Sequence, residues 1–327
     1  MHDLAQSALG PFALYVLKPV WIESVPTSAD DTQVIVWRGQ GPSGVPVLAR
    51  KDGFVFFLFD QSPAYSGGDV PSYVPEPSKR IPERIKQAQE ARVDLLYRRL
   101  EYMNAFLAGF YSAWSTVAKT GTYVQAPIDP ESYFLGFVLE GIYRPAGDSL
   151  RKIDAPTSRP VIQAEMVAHA VAAMNACDNR FGQISISLLN LTYLACHQYR
   201  LHQLSSAHLI AWSVCEMQLN AIWNDIVSEL DVKNGGHTKI NRERRDQLTG
   251  RDFTASIVTQ MASLHNKIDD ELLVALDAAR RKRNAFAHSL ESVAAEDAGK
   301  AIRAATDLMT KLTGFRITSQ LSLAYNL

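Results

Sequence analysis

No apolar run in the chain reaches the roughly 18 residues that a membrane-crossing helix needs, and the N-terminus, Met-His-Asp-Leu, lacks the basic start of a secretion signal. A cytoplasmic protein with no membrane partner is the expectation. Cysteine is scarce: Cys177, Cys196 and Cys215 stand in apolar, helix-like surroundings without the CxxC or Cys/His pairing of metal sites. They read as reduced core residues. His169, His197, His202 and His208 are scattered without the spacing of HExxH, and no acidic cluster accompanies them. No metal or other cofactor is expected. A GxSxG elbow and a Walker A loop are also missing, which leaves acyl hydrolysis and nucleotide-triphosphate hydrolysis without an anchor. Net charge is nearly absent too, at −1. Any attraction to nucleic acid must therefore come from local clusters of Arg and Lys.

What is present is the composition of a folded chain, 47% hydrophobic and 20% charged. Its 327 residues suit two domains. The first, residues 1–160, reads as a mixed α+β module, a candidate sensor or specificity domain. Phe12 to Leu17, Val34 to Trp37, Val45 to Ala49 and Phe54 to Phe59 are short apolar runs punctuated by turn residues, and the last two predict a hairpin. Gly39, Gly41 and Gly44 match GxGxxG formally, but strands flank them on both sides, so a hairpin turn is the reading. Residues 61–79 are rich in Pro, Gly and Ser and predict an irregular loop. After Pro82, the spacing of Leu96, Leu100, Met103, Leu107, Phe110, Trp114 and Val117 predicts a long helix with one buried stripe. Its charged residues Arg92, Asp94, Arg98, Arg99 and Glu101 read as a solvated face. Tyr133 to Leu139 is strand-like, and Pro145 to Pro160 reads as a linker.

Residues 161–327 predict an all-helical domain, with helices near 164–177, 184–199, 206–230, 254–265, 270–287 and 293–312. Only 315–324 looks extended. Ser292, with Glu296 and Asp297 behind it, marks the start of the last helix, whose stripe is Ala294, Ala298, Ile302, Ala305, Leu308 and Leu312.

The densest chemical signal lies at the end of the penultimate helix: Arg280-Arg281-Lys282-Arg283-Asn284-Ala285-Phe286-Ala287-His288. Asn284 and His288 are one helical turn apart and share a face, whereas Arg283 and His288 stand about 140° apart on an ideal helix. These two converge only if the helix ends near His288, or if two copies pool their side chains across a two-fold axis.

Arg-Asn-x-x-x-His at a helix end, with a closing helix behind it, resembles the HEPN superfamily, over about residues 205–313. Arg283 matches the family arginine, Asn284 the polar residue after it and His288 the family histidine; Arg281 also fits the looser spacing. Asn after Arg and Ala before His resemble the subgroup of RiboL-PSP-type and ApeA-type proteins, although Ser289 stands where that subgroup often has Gly. Weaker support comes from the long helix bearing Trp212, Leu219, Ile222, Ile226 and Leu230, in which Glu216 falls where many relatives carry an acidic residue. The resemblance implies a four- to five-helix bundle, a homodimer, and metal-independent cleavage of RNA at a composite site. It also implies a setting in antiviral defence by abortive infection.

The chemistry is coherent with those residues. His288 suits a base for the ribose 2′-hydroxyl, Arg283 a fork onto phosphate oxygens, and Asn284 a hydrogen-bonding support. The family and mechanism imply a 2′,3′-cyclic phosphate and a 5′-hydroxyl as product ends. Arg280, Arg281, Lys282, Arg244 and Arg245 are candidates for holding the RNA backbone, and Glu216 for supporting the site. Two other readings stand beside this one. The cations can simply compensate the negative end of a helix, or the fold can serve as an inactive RNA-binding or dimerising scaffold. The polar connection carrying Lys239, Arg242, Arg244, Arg245 and Arg251 also holds Glu243, Asp246 and Asp252, the composition of a solvated loop.

Overall fold

β-Branched and aromatic residues in short runs build the N-terminal sheet. The structure, a computed structural model, describes residues 13–15, 21–28, 30–66, 83–117, 161–231, 240–248 and 254–319. Strands β1 (Ala13–Tyr15), β3 (Ile35–Gln40), β4 (Pro46–Arg50) and β5 (Phe54–Phe57) form one antiparallel sheet in the order β1-β5-β4-β3. The expected hairpin is β4–β5, with Val47 opposite Phe57 and Ala49 opposite Val55. Its turn is held by Asp52, which is buried and accepts from Arg50 Nε at 3.0 Å, while Gly53 takes a φ of +91°. β3 runs through Gly39 and Gln40, which the sequence assigns to the turn, because both continue to pair with β4, at Val47 and Pro46. Gly41 then lets Tyr102 approach: a Cβ there would lie 2.2 Å from the phenol oxygen. The Gly39–Gly44 segment thus ends one strand and leads into another. A parallel pair, β2 (Trp21–Ile22) with β6 (Val161–Ile162), was not anticipated.

Helix α1 (Glu83–Val117) buries Leu96, Leu100, Met103, Leu107 and Phe110, the stripe read from the sequence as far as its side chains are described. Phe57, Phe59, Tyr65, Tyr102 and Phe106 meet in stacked, tilted and edge-on contacts at 5.2–5.9 Å between centroids. The expectation of a solvated charged face fails at Arg99. That side chain is buried, donates to the Tyr65 carbonyl from Nε at 3.0 Å and from Nη2 at 2.6 Å, pairs with Asp60 at 2.8 Å and covers the Phe59 ring. Burying a guanidinium is tolerable only with such partners. Glu101 is half-buried as well, and burial raises its pKa. The strand-like 133–139 and the linker 145–160 lie outside the described residues.

The chain divides into two compact units, Met1–Trp114 with Thr120–Asn175, and Ser115–Lys119 with Ala176–Leu327. The division falls within α2 (Ala164–Phe181). The second unit is helical among the described residues: α3 (Ser185–Arg200), α4 (Leu204–Leu230), α5 (Arg242–Leu248), α6 (Ala255–Leu264), α7 (Asp270–Ser289) and α8 (Ala295–Thr313). α4 is the central helix, packed against α3, α6, α7 and α8. It buries Trp212, Leu219, Ile222 and Ile226, while Leu230 is exposed. The segment after α8 folds back, with Ile317 donating its N–H to Thr310 Oγ1 at 3.0 Å, and takes no strand form through residue 319. The three cysteines are buried and free; burial pushes the Cys196 thiol up to about 11 and, aided by Asp178, Cys177 up to about 12. No helix among the described residues is long and apolar enough to cross a membrane.

Candidate functional site

α7 carries its charges in the order that a helix dipole favours. Asp269 caps the start, accepting the Leu272 N–H at 2.9 Å, with Asp270 and Glu271 in the first turn; the cations and His288 follow towards the other end. The helix stays regular through Ser289 and stops at Leu290, which adopts the left-handed conformation (φ 54°, ψ 28°) and donates its N–H to the Phe286 carbonyl at 3.0 Å. α8 then returns antiparallel, with Lys311 reaching Asp269 at 2.7 Å. Its cap is Ala294, whose N–H goes to the Asp297 carboxylate at 3.4 Å, so the start signal acts from Asp297 backwards rather than from Ser292.

Three of the four consecutive cations are taken. Asp277 accepts from Arg280 at 2.6 Å and pairs with Arg281 at 2.6 Å, one turn away on the same helix. The Arg280 and Arg281 guanidinium groups hold its carboxyl below the usual range. Lys282 reaches Glu291 at 2.5 Å and Asp297 at 3.5 Å, and Glu291 chiefly raises its pKa. Arg283 differs. Among the described residues it has no carboxylate partner; its Nη1 donates to Asn284 Oδ1 at 3.1 Å, which orients the guanidinium and leaves its other N–H groups uncommitted. His288 is exposed one turn beyond Asn284. Since α7 is regular across both, Arg283 and His288 do not converge within one chain.

The remaining candidates stand elsewhere. Lys267 meets Glu229 at 2.5 Å near the start of α7, and Ala279 meets His208 at 3.0 Å, so α7 runs antiparallel to α4 with its C-terminal turns near the N-terminal end of α4. Glu216, half-buried, lies two turns along α4 in the opposite direction, away from Arg283. α5 is tied to the far half of α4: Trp223 Nε1 donates to the Leu248 carbonyl at 2.7 Å and Arg245 pairs with Asp231 at 3.2 Å. From His208 to Trp223 the helix advances roughly 22 Å, which separates Arg244 and Arg245 from Arg283. Residues Lys239 and Arg251 lie outside the described residues.

A groove of about 660 Å³ runs beside α7 and is lined by Asp277, Arg281, Lys282, Glu291 and Asp297 among others. Its two cations face three carboxylates, so this wall offers phosphate no net attraction. A second groove of about 740 Å³ lies between α7 and α8. Arg283 and His288 line neither. Sequence reasoning missed Asp277, although its spacing of three and four residues to Arg280 and Arg281 is legible, and it missed His208, which occupies the apolar stripe of α4 with Trp212, Cys215 and Leu219. Among the described residues no group of three or more His, Cys, Asp or Glu side chains could hold a metal ion. Compared with known proteins, the chain matches no family model, no curated sequence and no solved structure.

Proposed function

We propose that the protein is a metal-independent RNA endonuclease of HEPN type, in which Arg283 of one copy and His288 of another form each site of a homodimer. The observation that carries this reading is Arg283 itself. In a run of four cations whose first three are neutralised by carboxylates, it alone has none among the described residues, and its guanidinium is oriented by Asn284, one turn before the exposed His288. A helix end that merely needed compensating charge would not favour that difference between neighbours.

In the proposed reaction, neutral His288 takes the proton of a ribose 2′-hydroxyl, the 2′ oxygen attacks the adjacent phosphorus, and the bond from phosphorus to the 5′ oxygen breaks. Arg283 holds two phosphoryl oxygens as charge develops on them. The leaving 5′ oxygen takes a proton from solvent, so the products are a 2′,3′-cyclic phosphate and a 5′-hydroxyl. Asn284 keeps the guanidinium in place. Arg280, Arg281 and Lys282 contribute to RNA binding only to the extent that Asp277, Glu291 and Asp297 release them. The proposed setting is a cytoplasmic toxin or antiviral effector with the N-terminal unit as a sensor or specificity module, and its toxin and defence role comes from the family resemblance.

The test is incubation of the full chain with mixed single-stranded RNA in EDTA, comparing wild type with Arg283→Ala and His288→Ala, together with the oligomeric state by sedimentation. Cleavage that needs both residues, leaves cyclic-phosphate ends and accompanies a dimer is the expected result. Cleavage surviving both substitutions would overturn the site. A dimer that retains RNA at low salt without cutting it would replace the reading with the scaffold.

A further inference from the structure

His208 is wholly buried in the largely apolar buried stripe of α4, where a polar ring is costly without partners. Its Nε2 lies 3.0 Å from the carbonyl oxygen of Ala279 on α7. A carbonyl can only accept, so Nε2 carries the proton and donates. Nδ1 is buried with no partner among the described residues. The ring is thus committed to a single bond, and that bond goes to the backbone of the helix bearing the candidate site.

The carbonyl it meets has a second duty. In a regular helix the oxygen of Ala279 accepts the backbone N–H of Arg283, four residues on. One oxygen therefore receives a donor from α4 and a donor from the turn that carries Arg283 and Asn284. Apolar packing does not do this job further along. The buried residues of α7 are Leu272, Leu276 and Ala279, and from Arg280 to Ser289 none is buried. The side-chain restraints beyond that point, Lys282 to Glu291 and Asp297, are salt bridges to exposed or half-exposed carboxylates. Such pairs are individually weak. Among the described residues, the bond from His208 to Ala279 is accordingly the last fully buried attachment of α7 before the half-buried and exposed turns that carry Arg283 and His288.

We propose that His208 is a positioning residue, whose Nε2–H fixes the rotation and axial position of α7 at the Arg283 turn and so sets where the guanidinium meets phosphate. The role in cleavage rests on the reading of Arg283 and His288 as a ribonuclease site; the attachment itself does not. Misplacing a catalytic group by about 1 Å can cost about 100-fold in rate. Loss of this bond therefore acts on turnover rather than on RNA capture.

The test compares full-length wild type, His208→Leu, His208→Gln, His208→Asn and Gln218→Leu, all at a temperature where each is folded. Gln can present an amide donor where Nε2 stood, whereas the shorter Asn cannot, so this pair decides the matter even if Leu is not tolerated. Gln218→Leu is the structural control, because Gln218 makes an equivalent buried bond from α4 to the Ala305 carbonyl of α8 at 3.1 Å. Amide exchange over Arg280–Ser289 is read first, then kcat and KM on single-stranded RNA. For His208→Leu and His208→Asn the expected result is exchange about 10-fold faster in that segment, with kcat down by about 10- to 100-fold and KM within about 2-fold. His208→Gln should restore both, and Gln218→Leu should lower the melting temperature while leaving both near wild type. Unchanged exchange in Arg280–Ser289, failure of Gln to rescue, or equal effects from Gln218→Leu would overturn the proposal. If wild type does not cleave RNA at all, the ribonuclease reading fails, and the exchange comparison still decides whether His208 positions the turn.

Discussion

Arg283 donates to the side chain of its own neighbour, Asn284, at 3.1 Å, while the three cations before it are bound to carboxylates. Sequence neighbours on a helix normally point about 100° apart, so this contact requires the guanidinium to lie across the helix surface. The direction of one donor is thereby set and the rest of the fork is left for a ligand. Arg283→Lys keeps the charge and loses the fork, and in single-turnover RNA cleavage it is expected to fall about 100- to 1000-fold, near Arg283→Ala. Asn284→Asp should also impair cleavage, because a carboxylate at 284 would neutralise Arg283 as Asp277 neutralises Arg281. A lysine variant that cleaves at the wild-type rate would remove the fork from the mechanism.

Leu290 is a non-glycine residue in the left-handed region, 81% exposed, at the position where helices commonly end in glycine. The conformation costs an ordinary residue roughly 1–2 kcal/mol, part of which glycine returns as unfolded-state entropy. Leu290→Gly should therefore raise the melting temperature of the helical unit by about 1–3 °C, read by calorimetry. A lower melting temperature would show that the exposed leucine makes a stabilising contact.

This end of α7 also marks where the sequence ceases to be readable. Periodicity locates the helices of the second unit well, because burial on one face is written into the spacing of apolar residues; Ala298, Ile302, Ala305 and Leu308 are buried as their pattern requires, whereas Ala294 and Leu312, at the two ends of the same stripe, are exposed and half-buried. Nothing in Leu290 signals a helix stop, since its backbone conformation is imposed by the return of α8 rather than by its own preference. The β2–β6 pair is illegible for a related reason: two-residue strands far apart in the chain have no local pattern. Within the candidate site, the residue types and spacing were legible, including that of Asp277 to Arg280 and Arg281, but the neutralisation of Lys282 depended on Glu291 and Asp297 arriving from across a turn. The short helix α5 hid in a segment whose mixed charges suit a loop equally well.

Arg98 and Arg99 are adjacent in sequence and opposite in consequence. Arg98 is exposed, whereas Arg99 is buried under the loop that carries Asp60 and Tyr65. Arg99→Leu leaves the Tyr65 carbonyl without two of its donors and should destabilise the N-terminal unit by about 2–4 kcal/mol, while Arg98→Ala stays within about 0.5 kcal/mol. Urea unfolding of both variants provides the comparison, and equal effects would contradict the burial assigned to Arg99.

Asp269 ties the two ends of the α7–α8 hairpin, accepting from Lys311 and capping α7 at the Leu272 N–H. The Lys311 hydrogen bond, followed by that backbone N–H, lowers its pKa from the ordinary 3.8. A carboxyl whose folded pKa is depressed contributes stability that is present above its unfolded value and is lost as pH falls through the folded one. Wild type should thus lose stability below about pH 4, and Asp269→Asn should lose less over the same range while starting from a lower value at pH 7. Parallel melting-temperature profiles for the two proteins from pH 7 to pH 2.5 would exclude this contribution.

Asp277 restrains the local positive charge of α7, because it binds Arg280 and Arg281 together and faces the groove beside the site. Asp277→Asn removes that anion and frees both guanidinium groups without altering Arg283. Each cation newly able to meet phosphate should steepen the salt dependence of RNA binding by about 0.7 in the slope of log K against log salt for single strands. The variant is therefore expected to bind single-stranded RNA more tightly at low salt and to lose that advantage as salt rises, with the slope increasing by about 0.7–1.4. Fluorescence anisotropy across a salt series measures it, best in the His288→Ala background so that the RNA stays intact. An unchanged slope would mean that Arg280 and Arg281 lie off the path of the RNA, leaving Lys282 and Arg283 as the cations of this run that could meet it.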